Sequence, residues 1–255
     1  MAAGAAAAAA MAGLRAACGD AIRFYQFLQY EFDVQWKALK GYANENGIKI
    51  IGDMPIYVAD DSADVWAHPE QFDLDEELLP RVVAGCPPDA FSADGQLWGM
   101  PVYNWKHMAA ETPAYGWWRQ RMRRALQLYD VVRIDHFRGF ESYYCIPYGA
   151  KTARKGTWRK GPGTALFRAL QEELGEKLPI IAEDLGFLTA GVHRLLEETG
   201  FPGMKVMEFA FDTREESDYL PHNYRHNAVV YTGTHDNDTV MGWTHTAPPE
   251  DVLLA

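Results

Sequence analysis

Residues 131–140 read VVRIDHFRGF, an apolar run that ends in charged side chains. Three of the first four residues are β-branched, which is typical of a buried strand. The strand should run out at Asp135, and a carboxylate at the carboxyl end of a buried strand is where a β/α barrel places its chemistry. Arg133 should share a face with Asp135, because strand side chains alternate, and its charge should keep that carboxylate ionised.

Two later stretches repeat this pattern. Residues 179–186 read PIIAEDLG and place Glu183 directly after an apolar run. Residues 229–238 read VVYTGTHDND and end in His235 and Asp236 with their neighbours. Each stretch alone is weak evidence, because a strand-end acid is more often a helix cap or a loop residue. All three together predict a cluster of carboxylates at one edge of a parallel sheet.

Strand candidates alternate with predicted helices along the chain. The five strand candidates cover residues 48–51, 131–134, 179–182, 204–211 and 229–231, and the first of them leads to Asp53. Helices are predicted over residues 24–46, 113–128, 164–177 and 189–200. This alternation is the pattern of a parallel α/β fold. A closed barrel needs eight strands, so the count predicts an open arc of five.

Two segments stand apart from this pattern. Residues 1–20 are rich in alanine and lack an amphipathic stripe, so they are expected to form a separate, frayed or loosely helical leader ahead of one domain at residues 21–255. Residues 54–110, rich in proline, form an insertion far longer than an ordinary βα loop. Long loops in compact enzymes are usually lids or binding loops.

Composition narrows the class of partner. The net charge of -11 argues against nucleic acid, which selects basic surfaces, and fits a neutral substrate. No stretch is long and apolar enough for a membrane helix. Cys18, Cys86 and Cys145 are scattered and odd in number, which indicates reduced thiols and a cytoplasmic location. No metal-ligand spacing is present, and neither a metal nor another cofactor is expected.

Six motifs follow one another between Phe24 and Trp243. They are GDMP at 52–55, DSADVW at 61–66, PPDAFS at 87–92, RIDHFRG at 133–139, AEDLG at 182–186 and GTHDNDT at 233–239. Their content and order resemble those of the amylomaltases, the 4-α-glucanotransferases of glycoside hydrolase family 77 in the α-amylase clan. The resemblance implies a partial (β/α)8 TIM barrel, about strands three to seven, with the long insertion after the first strand present.

The resemblance also assigns roles to the strand-end carboxylates. It makes Asp135 the nucleophile, Glu183 the general acid/base and Asp236 the stabiliser of the transition state. The first two roles agree with the residues themselves. Glu183 follows a wholly apolar strand, which should raise its pKa and keep it protonated until it is needed. Retention of configuration requires such a pair, about 5–5.5 Å apart.

Further residues are implied as substrate-binding. Asp53 is similar to an aspartate that shapes the family's site, and His235 to a histidine that hydrogen-bonds a sugar hydroxyl. Phe91 and Trp98 lie in the loop that overhangs the bound glucan in the family. Arg133, whose charge should act on Asp135, is the fifth residue of this substrate-binding set.

The function implied is transfer of α-1,4-glucan segments between maltooligosaccharides or to glucose, by a retaining double displacement. Two alternatives stay open. One is an α-amylase-like glucan hydrolase, because composition and spacing do not decide whether water or sugar reaches the intermediate. The other is a catalytically inactive barrel fragment, because five parallel strands leave open edges that need neighbours.

Overall fold

The structure is a computed structural model that describes residues 2–88, 92–186, 188–212 and 217–255, with side chains from residue 9 onward. The chain forms two compact units, Met1–Ile50 and Ile51–Ala255. The boundary expected at residue 20 therefore falls inside the first unit. None of the helices formed by the described residues is both long enough and apolar enough to cross a membrane.

The first unit consists of two helices. Helix α1 spans Ala2–Ala17 and covers most of the alanine-rich segment, in line with the high helix propensity of alanine. Helix α2 spans Gly19–Glu45 and is followed by Gly47 at φ +74°, the predicted helix stop. None of the residues of α2 is buried.

The second unit contains nine strands and seven helices among its described residues. The strands are β1 Ile51–Met54, β2 Val82–Cys86, β3 Gln96–Pro101, β4 Val131–Ile134, β5 Ser142–Pro147, β6 Thr157–Lys160, β7 Ile180–Ala182, β8 Gly203–Val206 and β9 Ala228–Tyr231. The helices are α3 Ala63–Ala67, α4 Trp105–Ala110, α5 Gly116–Leu128, α6 Thr164–Leu174, α7 Ala190–Thr199, α8 Val240–Thr246 and α9 Pro249–Leu254. Short 3₁₀ helices cover Pro69–Gln71, Phe137–Phe140, Met207–Phe209 and Pro221–Asn223.

Three parallel strands form the sheet that positions the site, in the order β1-β4-β7. The central strand β4 pairs with β1 from Ile51↔Val131 to Met54↔Ile134, and with β7 up to Ile134↔Ala182. Val132 and Ile134 are fully buried. The apolar run at the start of the motif thus forms the middle of the sheet, as its β-branched residues predict.

The expected single arc of five strands is wrong in one respect. Strands β8 and β9 pair in parallel as a separate two-stranded sheet. Between β7 and β8, Ala182 N–H donates to Pro202 O at 2.9 Å, and the next donor, Met204 N–H, binds the Asp184 carboxylate at 2.6 Å. Because a side chain takes the place of a backbone acceptor there, the ladder of backbone hydrogen bonds is interrupted.

Two predicted strands have different bounds. Strand β1 begins at Ile51 rather than at Ile48, so Asp53 lies within the strand and pairs in register with Arg133. Strand β8 ends at Val206, after which the chain turns into the 3₁₀ helix Met207–Phe209 instead of staying extended to residue 211.

The long insertion is not a loop but half of a second sheet. Strands β2 and β3 from the insertion join β5 and β6 in a four-stranded antiparallel sheet, in the order β3-β2-β5-β6. Strands β5 and β6, within residues 142–160, supply the other half. The sequence did not indicate this sheet because β2 pairs with β5 about sixty residues later, from Val82↔Pro147 to Gly85↔Tyr144.

A shared apolar core supports the parallel sheet on its helical side. It includes the largest fully buried side chains of α5 and α6, namely Trp118, Met122, Leu166, Phe167 and Leu170. Each such side chain contributes about 1.5–3 kcal/mol relative to an exposed one. This core holds β4 and β7 rigidly, which is what residues at their carboxyl ends need for precise chemistry.

Candidate active site

The register of the central strands places two carboxylates side by side. Ile134 and Ala182 are the last paired residues of β4 and β7, so Asp135 and Glu183 follow at the same level. Glu183 N–H donates to Ile134 O and Asp135 N–H donates to Met54 O, both at 3.0 Å. Backbone hydrogen bonds therefore continue one residue past the strands and fix both carboxylates at the carboxyl edge of the sheet.

Arg133 joins three strands at this edge. Its Nη1 lies 2.6 Å from Asp53 Oδ1 and 3.0 Å from Asp135 Oδ1, and its Nε donates to Met204 Sδ at 3.3 Å. Its side chain is 12% exposed, against 45% for each aspartate. A largely buried guanidinium thus anchors two half-exposed carboxylates, in the geometry that alternation along β4 predicts.

The pKa of Asp135 departs from the expectation. Burial raises it above its ordinary value, the charge of Arg133 lowers it, and the charges of Asp53 and Asp236 raise it again. Arg133 therefore acts in the predicted direction, but burial and two like charges outweigh it. Burial is the largest of these influences, and the nitrogen of Arg133 that binds Asp135 also binds Asp53 at a shorter distance.

The carboxylate of Glu183 is held by two backbone donors. His136 N–H binds Oε2 at 2.8 Å and Leu185 N–H binds Oε1 at 2.7 Å. Burial nevertheless raises the pKa of Glu183 to about 7; the two N–H groups and Arg133 lower it, and Asp135 raises it. This agrees with the prediction from the apolar strand. At neutral pH the group can both donate and accept a proton.

This pKa predicts a pH dependence of folding stability that is specific to Glu183. A folded-state pKa of about 7 against the ordinary 4.5 means that the stability contributed by the protonated form is lost as pH rises through that window. We expect a loss of about 3 kcal/mol between pH 4.5 and 8. In Glu183→Gln that component should disappear, whereas Glu141→Gln, at a carboxyl whose pKa is lowered, should keep it.

Chemical denaturation at a series of pH values measures this effect. The informative quantity is the difference in unfolding free energy between each variant and the parent chain, because all other titrating groups cancel in it. A difference between parent and Glu183→Gln that stays constant from pH 4.5 to 8 would contradict the raised pKa.

His136 connects the insertion to this site. Its backbone adopts the left-handed conformation at φ +53°, which directs its N–H toward Glu183. Burial, together with the charge of Arg138, lowers the pKa of its imidazole to about 3, so the ring is neutral. Trp98 packs edge-on against that ring with centroids 4.8 Å apart. Trp98 thus reaches the loop beside both carboxylates, while Phe91 lies outside the described residues.

His235 and Asp236 lie on a neighbouring turn. Strand β9 ends at Tyr231, so both residues follow it rather than end it. Their side chains are 67% and 73% exposed, with His235 Nε2 lying 3.4 Å from Asp236 Oδ2. Asp236 N–H donates to Thr234 Oγ1 at 3.3 Å. The charge of Asp236 is the smallest of the influences that act on the pKa of Asp135, and it raises that pKa.

The structure therefore brings Asp53, Arg133, Asp135 and Glu183 into one network, with Trp98 and Asp236 at its margin. Sequence reasoning missed the backbone donors that hold Glu183. Asp184 is a structural support, because its buried carboxylate binds Met204 N–H and lies against Gly203. A side chain that binds a backbone amide carries no sequence signal beyond its polarity.

The sequence of this chain was compared with the profiles of known protein families. The family profile for glycoside hydrolase family 77, described as 4-alpha-glucanotransferase, matches residues 3–253. The match is wider than the motifs between Phe24 and Trp243 and extends into the alanine-rich helix.

Individual relatives agree with the profile. A 4-alpha-glucanotransferase of Clostridium butyricum is 55% identical over 87% of this chain, and one of Solanum tuberosum, named as chloroplastic/amyloplastic, is 50% identical over 91%. The solved amylomaltase of Streptococcus agalactiae in complex with acarbose superposes with a TM-score of 0.90 at 48% identity over 95% of the chain. The chain spans less than half of each, at 45%, 40% and 48% of their lengths.

Proposed function

The chain belongs to glycoside hydrolase family 77, the 4-alpha-glucanotransferases, and on that premise we propose that the protein transfers α-1,4-glucan segments between maltooligosaccharides or to glucose. The observation that carries the proposal is the pair at the ends of β4 and β7. Glu183, with a pKa of about 7, adjoins Asp135, which Arg133 binds at 3.0 Å. A carboxyl that exchanges its proton near neutrality beside an anchored carboxylate is what retaining glycosyl transfer requires.

The first half of the reaction uses both groups. Asp135 attacks the anomeric carbon and forms an ester bond to it, while the glycosidic bond breaks. Glu183 gives its proton to the departing sugar oxygen and becomes a carboxylate. The N–H groups of His136 and Leu185 stabilise that carboxylate through the bonds at 2.8 and 2.7 Å. General acid catalysis of this kind contributes about 10²–10⁴-fold.

The second half reverses the proton transfer. The 4-hydroxyl of an acceptor sugar gives its proton to Glu183 and attacks the anomeric carbon, and the ester bond to Asp135 breaks. The acceptor thereby gains the glucan segment, and both carboxyl groups return to their starting states. Asp236, whose charge acts on Asp135, stabilises the positive charge that develops on the sugar ring.

Residues around the edge of the network are proposed to bind the substrate. Trp98 presents an aromatic surface next to His136, suited to the apolar face of a glucose ring. Asp53 and His235 offer polar groups for sugar hydroxyls, and Phe91 is proposed to extend the aromatic surface. The acarbose bound to the S. agalactiae amylomaltase supports a glucan-like ligand for this site.

We further propose that the described parallel strands are strands three to seven of a (β/α)8 barrel. The order β1-β4-β7 followed by β8-β9, with helices between them, supports this assignment. The intact site then belongs to a barrel-completed protein, defined here as this chain joined to the remaining barrel segments of a family relative.

Incubation of the barrel-completed protein with maltotriose tests the function. Transfer produces glucose together with maltooligosaccharides longer than the substrate, which chromatography separates. Release of reducing ends without longer products would favour the hydrolase, and absence of any product would overturn the proposed activity. The 255-residue chain by itself should give no longer products, because five parallel strands do not close a barrel.

Replacing Arg133 should shift the acid side of the pH profile. Its charge lowers the pKa of Asp135, so in Arg133→Met that pKa rises and the ionised nucleophile is lost at a higher pH. We expect a transfer rate at neutral pH reduced about 10²-fold, as for loss of one preorganised electrostatic partner.

The control for this prediction is Arg159→Met, which breaks another arginine–aspartate pair, to Asp73 at 2.7 Å, outside the network. The pH dependence of kcat/KM for the barrel-completed protein measures both variants. An acid limb that is identical in Arg133→Met and the parent would contradict the role given to Arg133.

A cytoplasmic location is proposed from the cysteines. Cys18, Cys86 and Cys145 form no disulfide bond among the described residues, as a reducing compartment maintains. Cell fractionation tests it directly. Recovery in a plastid fraction, the location in the name of the S. tuberosum relative, would overturn it.

A further inference from the structure

Tyr219 reaches the turn that carries Glu183 from a different part of the chain. Its hydroxyl oxygen accepts the N–H of Gly186 at 2.9 Å. Gly186 is the last residue of the motif AEDLG, and the residue before it, Leu185, donates its N–H to Glu183 Oε1 at 2.7 Å. Two consecutive peptide N–H groups are therefore held by two side chains, one of them the general acid/base.

Few contacts among the described residues restrain this turn at Gly186. The residue has φ +81°, in the left-handed region that glycine enters freely, and no described atom beyond its two chain neighbours lies within 4 Å of the position that a Cβ would occupy. Packing against the described residues does not enforce the conformation there. The hydrogen bond to Tyr219 is thus the contact that can select one orientation of the peptide group next to Leu185.

The Tyr219 ring is itself firmly placed. Its edge packs against Phe209 with centroids 5.5 Å apart, and Lys205 Nζ lies 4.9 Å from the ring centroid. Its backbone N–H binds Ser217 Oγ at 3.1 Å. Burial raises the pKa of its hydroxyl to about 12, so it stays a neutral phenol over the range in which Glu183 titrates.

We propose that Tyr219 is a positioning residue for Glu183: by holding Gly186 N–H, it keeps Leu185 N–H directed at the Glu183 carboxylate. The inference rests on the proposed function for its catalytic consequence, but not for the geometry. The Leu185 bond lowers the pKa of Glu183. Loosening the turn should therefore raise the pKa of Glu183. The charged groups Asp135 and Arg133 also act on this pKa, the first raising it and the second lowering it.

Tyr219→Phe tests the proposal, because it keeps the ring contacts and removes only the acceptor oxygen. Tyr224→Phe is the matched control. This variant makes the same chemical change five residues further along the chain. The hydroxyl of Tyr224 is buried and has no hydrogen-bond partner among the described residues. Both variants of the full chain are studied by NMR, following exchange of the Gly186 amide and titration of the Glu183 side-chain carbon, assigned by its loss in Glu183→Gln.

We expect Tyr219→Phe to accelerate Gly186 amide exchange at least tenfold and to raise the Glu183 midpoint by about half a pH unit, as for a weakened hydrogen bond to a carboxylate. Tyr224→Phe should change neither. In the barrel-completed protein, kcat should fall about tenfold with KM nearly unchanged, less than the ~10²-fold that a 1 Å misplacement can cost.

The possible outcomes distinguish the positioning role of Tyr219 from the proposed function of the protein. Faster Gly186 exchange with an unchanged Glu183 midpoint would overturn the positioning role, because the hydroxyl would then only anchor the loop. Equal effects in both tyrosine variants would overturn it as well. A shifted midpoint in a barrel-completed protein that transfers no glucan would support the positioning role and refute the proposed function.

Discussion

Asp135→Asn is expected to abolish the covalent glycosyl intermediate and to lower glucan transfer by more than any other single substitution at this site. The amide is nearly isosteric with the carboxylate, so Arg133 and the backbone bond to Met54 O at 3.0 Å still hold the loop in place. What is lost is the anionic oxygen that attacks the anomeric carbon. We expect at least a ~10⁴-fold reduction, the upper end of what acid/base catalysis alone contributes.

Asp53→Asn is the control for that effect. Asp53 is bound by the same Arg133 nitrogen, at 2.6 Å, and is equally exposed at 45%. Its substitution removes the same charge from the same network but leaves the nucleophile. A loss of about 10–10²-fold is expected for a binding and orienting group. If Asp135→Asn retained most transfer activity, or lost no more than Asp53→Asn, Asp135 would not be the nucleophile.

Glu183→Gln should produce a loss of activity that depends on the leaving group. Glutamine cannot protonate the oxygen of a departing sugar, so transfer from maltooligosaccharides should fall about 10²–10⁴-fold. Fluoride needs no proton to depart. With an activated glucosyl fluoride, the variant should therefore form the ester to Asp135 at nearly the parental rate and then stall, because no base activates the acceptor in the second step.

Fluoride release and mass spectrometry of the protein follow this reaction. A burst close to one fluoride per site, together with a protein heavier by one glucosyl group, is expected for Glu183→Gln and not for Asp135→Asn. Glu141→Gln alters another shielded glutamate, 14% exposed, and should behave like the parent. Identical behaviour of the Glu183 and Asp135 variants with the fluoride would show that their roles are wrongly assigned.

Local sequence alone predicted the parts of the site that depend on one strand at a time. The β-branched run before Asp135 forms the buried centre of the sheet, and the wholly apolar strand before Glu183 explains why burial raises its pKa to about 7. Alternation along β4 placed Arg133 beside Asp135, at 3.0 Å. In each case, the residues that set the environment lie within a few positions of the one that uses it.

Contacts between distant segments were beyond such reasoning. The antiparallel sheet joins the insertion to residues 142–160 through the pairing of β2 with β5, which are about sixty residues apart. The break between β7 and β8 depends on Asp184 meeting a backbone amide twenty residues away. Burial, together with the charge of Asp53 from a strand eighty residues before Arg133, raises the pKa of Asp135 where the sequence predicted an easily ionised group.

Local sequence established the chemistry that this protein carries: its family motifs, the carboxylates that follow apolar runs, and the parallel α/β pattern. How these groups share their partners depended on the folded chain, since register, burial and the reach of side chains such as Tyr219 involve residues brought together from distant positions. Buried strands follow from local periodicity, whereas pKa values and hydrogen-bond partners are set by every charge and donor within a few ångströms.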